Sequence, residues 1–152
     1  VEIETAARLR LLQMPNVTNL VGNRIWKWEP EEALEGTGHG AIVLRRSGQW
    51  TKPGPNSQEY PLLVIEAASD YSRGPDGQAV ANDAETRVYA ILREVDRALH
   101  QKDREVRRWP TDREDGLLVL GCFRGSEPTE PVDKWGVKVA RVTYDVQCVH
   151  SG

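Results

Sequence analysis

Long apolar runs, catalytic signatures and a surplus of one charge are all missing from this chain. No run of about 18 apolar residues occurs, so no membrane-spanning helix is expected. The net charge of −3, from 20 basic and 23 acidic side chains, gives no electrostatic reason to expect a nucleic-acid binder. The three histidines, His39, His100 and His150, are scattered, and no Cys or His pair has metal-ligand spacing. No Gly-x-Ser-x-Gly and no marked Ser–His–Asp grouping appears. Val1-Glu2-Ile3-Glu4 lacks the basic start and apolar run of a signal peptide. Cys122 and Cys148 are therefore expected to be reduced core residues. No cofactor, metal or catalytic role is expected.

What is present is a globular composition. The chain has 152 residues, 39% hydrophobic and 28% charged, which predicts one domain over residues 1–152 with a real core. The stretch 136–149 dominates it. Ala140, Val142, Tyr144, Val146 and Cys148 alternate with Arg141, Thr143, Asp145 and Gln147, a strand with one face on a core. Trp135, Val137 and Val139 fall in the other phase, predicting a bulge or a change of buried face. A long strand of this kind is read either as an edge hairpin or as one that offers backbone groups to a neighbour.

Residues 3–13 read as an amphipathic helix that Pro15 helps to stop, and 16–23 as a turn-rich connection. Residues 24–28 form a short strand, with Trp26 and Trp28 on one face and Ile25 on the other. Residues 41–46 are a second strand, and 61–69 a continuously apolar one expected at the sheet centre. Residues 82–101 are the clearest helix, capped by Asn82 with Glu85, with a stripe of Ala84, Val88, Ile91, Leu92, Val95 and Leu99. Residues 102–115 carry both charge signs and read as a solvated connection around Val106 and Trp109. Residues 117–123 are another buried strand. The predicted class is α+β: a mainly antiparallel or mixed sheet packed by two helices, with a long C-terminal strand and long loops.

Those loops are 29–40, 47–60, 70–79 and 124–134. Long loops in a small domain point to function, often a partner. Glu31, Glu35, Trp50, Tyr71, Arg73, Glu127 and Glu130 are the candidate docking residues on them. The glycine-rich Gly36-Thr37-Gly38-His39-Gly40 lacks the lysine and the following helix of a phosphate loop. Glu66 is read as an outward-facing polar residue of its strand. Leu63-Val64-Ile65-Glu66-Ala67-Ala68 also resembles the Glu-bearing strand of restriction-endonuclease-like proteins, but Ala68 stands where their lysine is expected.

Several short stretches together carry a wider resemblance. They are Leu20-Val21-Gly22-Asn23-Arg24-Ile25-Trp26, Ala41-Ile42-Val43-Leu44, Tyr60-Pro61-Leu62-Leu63-Val64-Ile65-Glu66-Ala67, Gly121-Cys122-Phe123-Arg124-Gly125-Ser126-Glu127-Pro128 and Val142-Thr143-Tyr144. In this order the chain resembles the tail terminator (tail completion) proteins of long-tailed bacteriophages. The resemblance implies a structural, non-enzymatic virion protein forming a ring, typically of six subunits, that caps the tail tube and ends its polymerisation. It implies a homo-oligomer whose partners are the tail tube protein and the head–tail connector or stopper. DNA would pass the lumen without being read, and no membrane is involved. The implied location is the head-proximal end of the tail, after assembly in the host cytoplasm. Arg141, Thr143, Asp145 and Gln147 are expected to face the lumen or a neighbouring subunit. A head–tail joining adaptor is the alternative, and a metal-dependent nuclease-like domain built on Glu66 a lesser one.

Overall fold

The structure is a computed structural model and describes residues 3–27, 40–47, 51–52, 57–70, 72–73, 79–101, 105–112, 116–134 and 137–150. Helices α1 (Ile3–Leu12) and α2 (Pro15–Val21) lead into strands β1 (Ile25–Trp26) and β2 (Gly40–Ser47). β3 (Thr51–Lys52), β4 (Ser57–Glu59) and β5 (Leu62–Asp70) follow. β6 (Ser72–Arg73) and β7 (Ala79–Val80) form a small separate ladder before the long helix α3 (Ala81–Leu99). β8 (Arg107–Trp109), β9 (Leu117–Arg124), β10 (Val132–Lys134) and β11 (Val137–His150) complete the order. The class is α+β: β1 runs parallel to β2, and the other ladders of the main sheet are antiparallel.

β11 is the centre of this sheet, not its edge. One side pairs with β5 from Val137↔Asp70 to Asp145↔Leu62, then with β4 from Cys148↔Glu59 to His150↔Ser57. Val146 N–H donates to Pro61 O across the gap between those strands. The other side pairs with β9 at residues 144–149 and with β10 at residues 137–139. Between them, Gly125 N–H donates to Thr143 O and Thr129 N–H to Arg141 O, each at 2.9 Å. Both edges of the strand are therefore hydrogen-bonded within the chain. The edge-hairpin reading, and the idea that β11 lends its backbone to a neighbour, are both corrected by this topology.

The apolar phase change has its own explanation. The β5–β11 register runs without a break past Val137, Val139, Ala140 and Val142. Val137 and Val139 lie half-buried on the face opposite α3, across from Asp70 and Ala68, and Lys138 between them reaches Glu85 of α3 at 3.4 Å, so the strand stays regular and neither face is fully buried there. The one shift falls between Gln147 and Cys148 opposite β9.

The core lies between the helices and one sheet face. Ala84, Val88, Ile91, Leu92, Val95 and Leu99 are all buried, so the helical stripe reads through into packing. They join Ile42, Leu44, Leu63, Ile65, Ala67, Ala140, Val142, Tyr144 and Val146 in one cluster. From α1, Ile3, Ala6, Ala7 and Leu11 join the same cluster. The Arg10 Nε of α1 donates to Ala98 O at 3.2 Å, satisfying one of the carbonyls left open at the C-terminal end of α3.

Three expectations change in this layer. Pro15 opens α2 at its first turn, where its missing N–H costs no hydrogen bond, so there are three helices among the described residues. Helix α3 begins at Ala81, one residue ahead of the expected Asn82 cap. Trp109 belongs to β8 and is fully buried, whereas Val106 beside it is exposed. Gly116 makes the β8–β9 approach possible. Its φ is +65°, and a Cβ there would sit 2.6 Å from Trp109 O.

Candidate assembly surface

The sheet face away from α3 carries the polar β11 stripe. Arg141 and Asp145 are exposed and Thr143 and Gln147 half-buried, alternating with Ala140, Val142, Tyr144 and Val146 beneath the helix. The four side chains are held rather than loose. Arg141 pairs with Glu66 at 3.2 Å, and its N–H donates to Thr129 Oγ1 at 2.9 Å. Thr143 Oγ1 lies 3.2 Å from Ser126 Oγ. Gln147 Nε2 donates to Gln58 Oε1 at 3.0 Å and to Tyr60 Oη at 3.3 Å, and Tyr60 donates in turn to Gln58. Asp145 lies close over Gly125, where a Cβ would come 2.8 Å from its Oδ2. The stripe is a preorganised polar surface on a strand whose own edges are both paired.

Glu66 is not outward-facing into solvent. It is 5% exposed and lies between Arg45 on β2 and Arg141 on β11. The three stand on neighbouring strands, with Glu66 directly opposite Arg141 in register. Two guanidinium groups around one carboxylate are the reverse of the acidic cluster that holds magnesium. Among the described residues no group of His, Cys, Asp or Glu side chains could hold a metal ion. Glu66 thus has a structural task, tying three strands together on the helix-free face. Glu66→Gln is expected to cost about 1 kcal/mol, because both arginines stay partly open to water and screen the loss. Urea unfolding of the variant checks this, and an unchanged midpoint would show the ion pairs to be idle.

The candidate docking residues divide. Glu127, 84% exposed in its side chain, pairs with Arg124 at 3.3 Å, and Glu130 is exposed. Arg73 lies in β6. Glu31, Glu35, Trp50 and Tyr71 lie outside the described residues, as do Trp28 and most of the 29–40 stretch. The expected 47–60 and 70–79 loops contain the β3–β4 and β6–β7 ladders. The 124–134 loop is strapped to β11 by backbone hydrogen bonds and ends in β10.

Sequence reasoning missed a groove of about 470 Å³ between α3 and the strapped segment, lined by Tyr89, Leu92, Arg93, Asp96, Arg97, Arg124, Glu127 and Pro128. Of these, Asp96 accepts at Oδ1 from the buried Tyr144 hydroxyl at 2.8 Å, and Arg124 reaches Asp96 at 3.9 Å. Burial, then the bond to Asp96, pushes the Tyr144 phenol far above its usual range. The signal was slight: arginines four residues apart on the polar side of a helix, plus Arg124 from a distant strand.

Cys122 and Cys148 are buried and unbonded. Burial first, then nearby carboxylates, push both thiols up, Cys148 to about 12 and Cys122 further.

No family model matches this chain, and no curated protein matches it. Among solved structures, 19 chains match. One comes from the "Virion of native gene transfer agent (GTA) particle". It superposes with a TM-score of 0.60 at 13% sequence identity, covering 97% of this chain and 95% of that one. At that identity the likeness establishes a common fold, and the fold extends over nearly the whole of both chains.

Proposed function

We propose that the protein is a structural, non-enzymatic virion component that forms a closed ring, of six subunits, at the head-proximal end of a phage-type tail. The ring caps the tail tube, ends its polymerisation and presents its other face to the head connector. The observation that carries this is the near-complete two-way match with a chain of a gene transfer agent virion. It agrees with the terminator-like order of short motifs along the sequence. The closed edges of β11 are compatible with a ring whose subunits meet through faces and flanks instead of continuing one sheet. In this reading residues 1–152 act as one domain, the β11 polar stripe faces the lumen or a neighbouring subunit, and DNA passes without being read. Subunits assemble in the host cytoplasm before the tail joins the head.

The test is polymerisation of the matching tail tube protein with and without this protein, viewed by negative stain. Tubes that stop growing and carry a ring at one end are expected. An unaffected length distribution and bare tube ends overturn the terminator role. Binding to the connector alone would assign the head–tail joining role instead.

A further inference from the structure

We propose that the groove between α3 and residues 124–128 is a socket for the acidic segment 29–35 of a second copy of this chain. The proposal rests on the ring reading above and names the contact between neighbouring subunits.

The groove has an apolar floor and a cationic rim. Tyr89, 44% exposed, lies with Leu92 and Pro128, and Arg93, Arg97 and Arg124 stand around them. Its own carboxylates are engaged: Asp96 takes the Tyr144 hydroxyl and Arg124, and Glu127 takes Arg124. Arg97 is held only by an exposed i,i+3 bridge to Glu94, which exchanges readily for a better partner. Arg93 is exposed and has no carboxylate partner among the described residues.

The segment is complementary in kind. Glu29, Glu31, Glu32 and Glu35 sit among Pro30, Ala33 and Leu34, with no basic residue. Its four negative charges exceed the net charge of the whole chain, −3, so the remainder of the chain is net positive. Acidic side chains with interleaved apolar ones match a floor and rim of this type.

Position decides between copies. β1 and β2, which the segment connects in sequence, stand at one end of the sheet, and the groove lies beyond β11 on the side of β9 and β10. Gly40, where β2 starts, packs against Ile91 and Arg87, whereas the groove uses Tyr89, Arg93 and Asp96 across the helix. Strands anchoring the segment on one flank and a socket on the other are what a head-to-tail contact needs to close a ring.

Charge reversal tests this on the full chain. R93E/R97E and E31K/E32K are each expected to weaken self-association by about a hundredfold, read by sedimentation over a range of concentrations. Mixing the two variants is expected to restore assembly at equal stoichiometry, because each reversed socket then meets a reversed segment. Restoration also shows that both variants fold. Wild-type association unchanged in both variants overturns the socket while leaving the ring intact. A change in monomer stability in E31K/E32K without a change in association places the segment in its own groove and also overturns the proposal. A wild-type chain that stays monomeric in solution and on tube ends overturns both readings.

Discussion

Between about pH 9 and about pH 11 the protein is expected to lose roughly 5–7 kcal/mol of stability. The cause is three buried acids whose ionisation the folded state opposes: Cys122, Cys148 and Tyr144. In the unfolded chain the thiols ionise near 9.0 and the phenol near 10.0. In the folded chain burial raises all three, with Cys148 at about 12 and the others higher. Above the unfolded values the native state holds more protons than the unfolded one, so stability falls as pH rises. Each such group contributes about 1.4 kcal/mol per pH unit, and the loss continues until the folded value is reached. Below about pH 9 none of this loss is felt. The total rivals the whole stability of a typical domain, about 5–15 kcal/mol. Urea midpoints measured across the alkaline range check it. Cys148→Ala should flatten the slope near its start by about one proton. A midpoint indifferent to pH would mean the thiols are far less enclosed than the sheet places them.

Trp109→Ala is the second large effect, expected at about 3–5 kcal/mol. Trp109 is 0% exposed and belongs to the core cluster, although it sits on a three-residue strand at the rim of the sheet. Truncation leaves a cavity that β8, paired only with β9 among the described ladders, cannot fill without losing register. Its indole Nε1 has no hydrogen-bond partner among the described residues. Trp109→Phe therefore loses volume but no hydrogen bond, and is expected to cost well under half as much. Thermal unfolding of the two variants side by side separates the cases. Equal costs would overturn the reading that lost volume sets the penalty.

Much of this could be read in advance where periodicity is long. The six stripe residues of α3, the continuous apolar run of β5 and the alternation in β11 each impose one geometry. Shorter signals failed for physical reasons. Pro15 stops one helix and starts the next, and the two roles look alike in a sequence. Trp109 stands alone in a charged stretch, with no periodic neighbours to mark it as core. Alternation in β11 reports which face is buried but nothing about whether the edges are paired, so its central position was invisible. Glu66 looked like a solvent-facing residue because its partners, Arg45 and Arg141, come from strands far away in the chain. The groove was illegible for the same reason, since α3 and the 124–128 segment make it only when folded together.

The position of β11 also has a consequence for timing. Four earlier strands pair with it, yet it comes last of all the elements in chain order. During synthesis β5 and β9 exist long before the strand that separates them, and each then has an open side. Loop closure over such long separations is slow, so the centre of the sheet closes only once β11 is available. Until that step Asp96, one of the groove's lining residues, lacks the Tyr144 hydroxyl that donates to it. A chain that has not yet reached Val137 therefore keeps the facing edges of β5 and β9 unpaired, and β11 closes both at once.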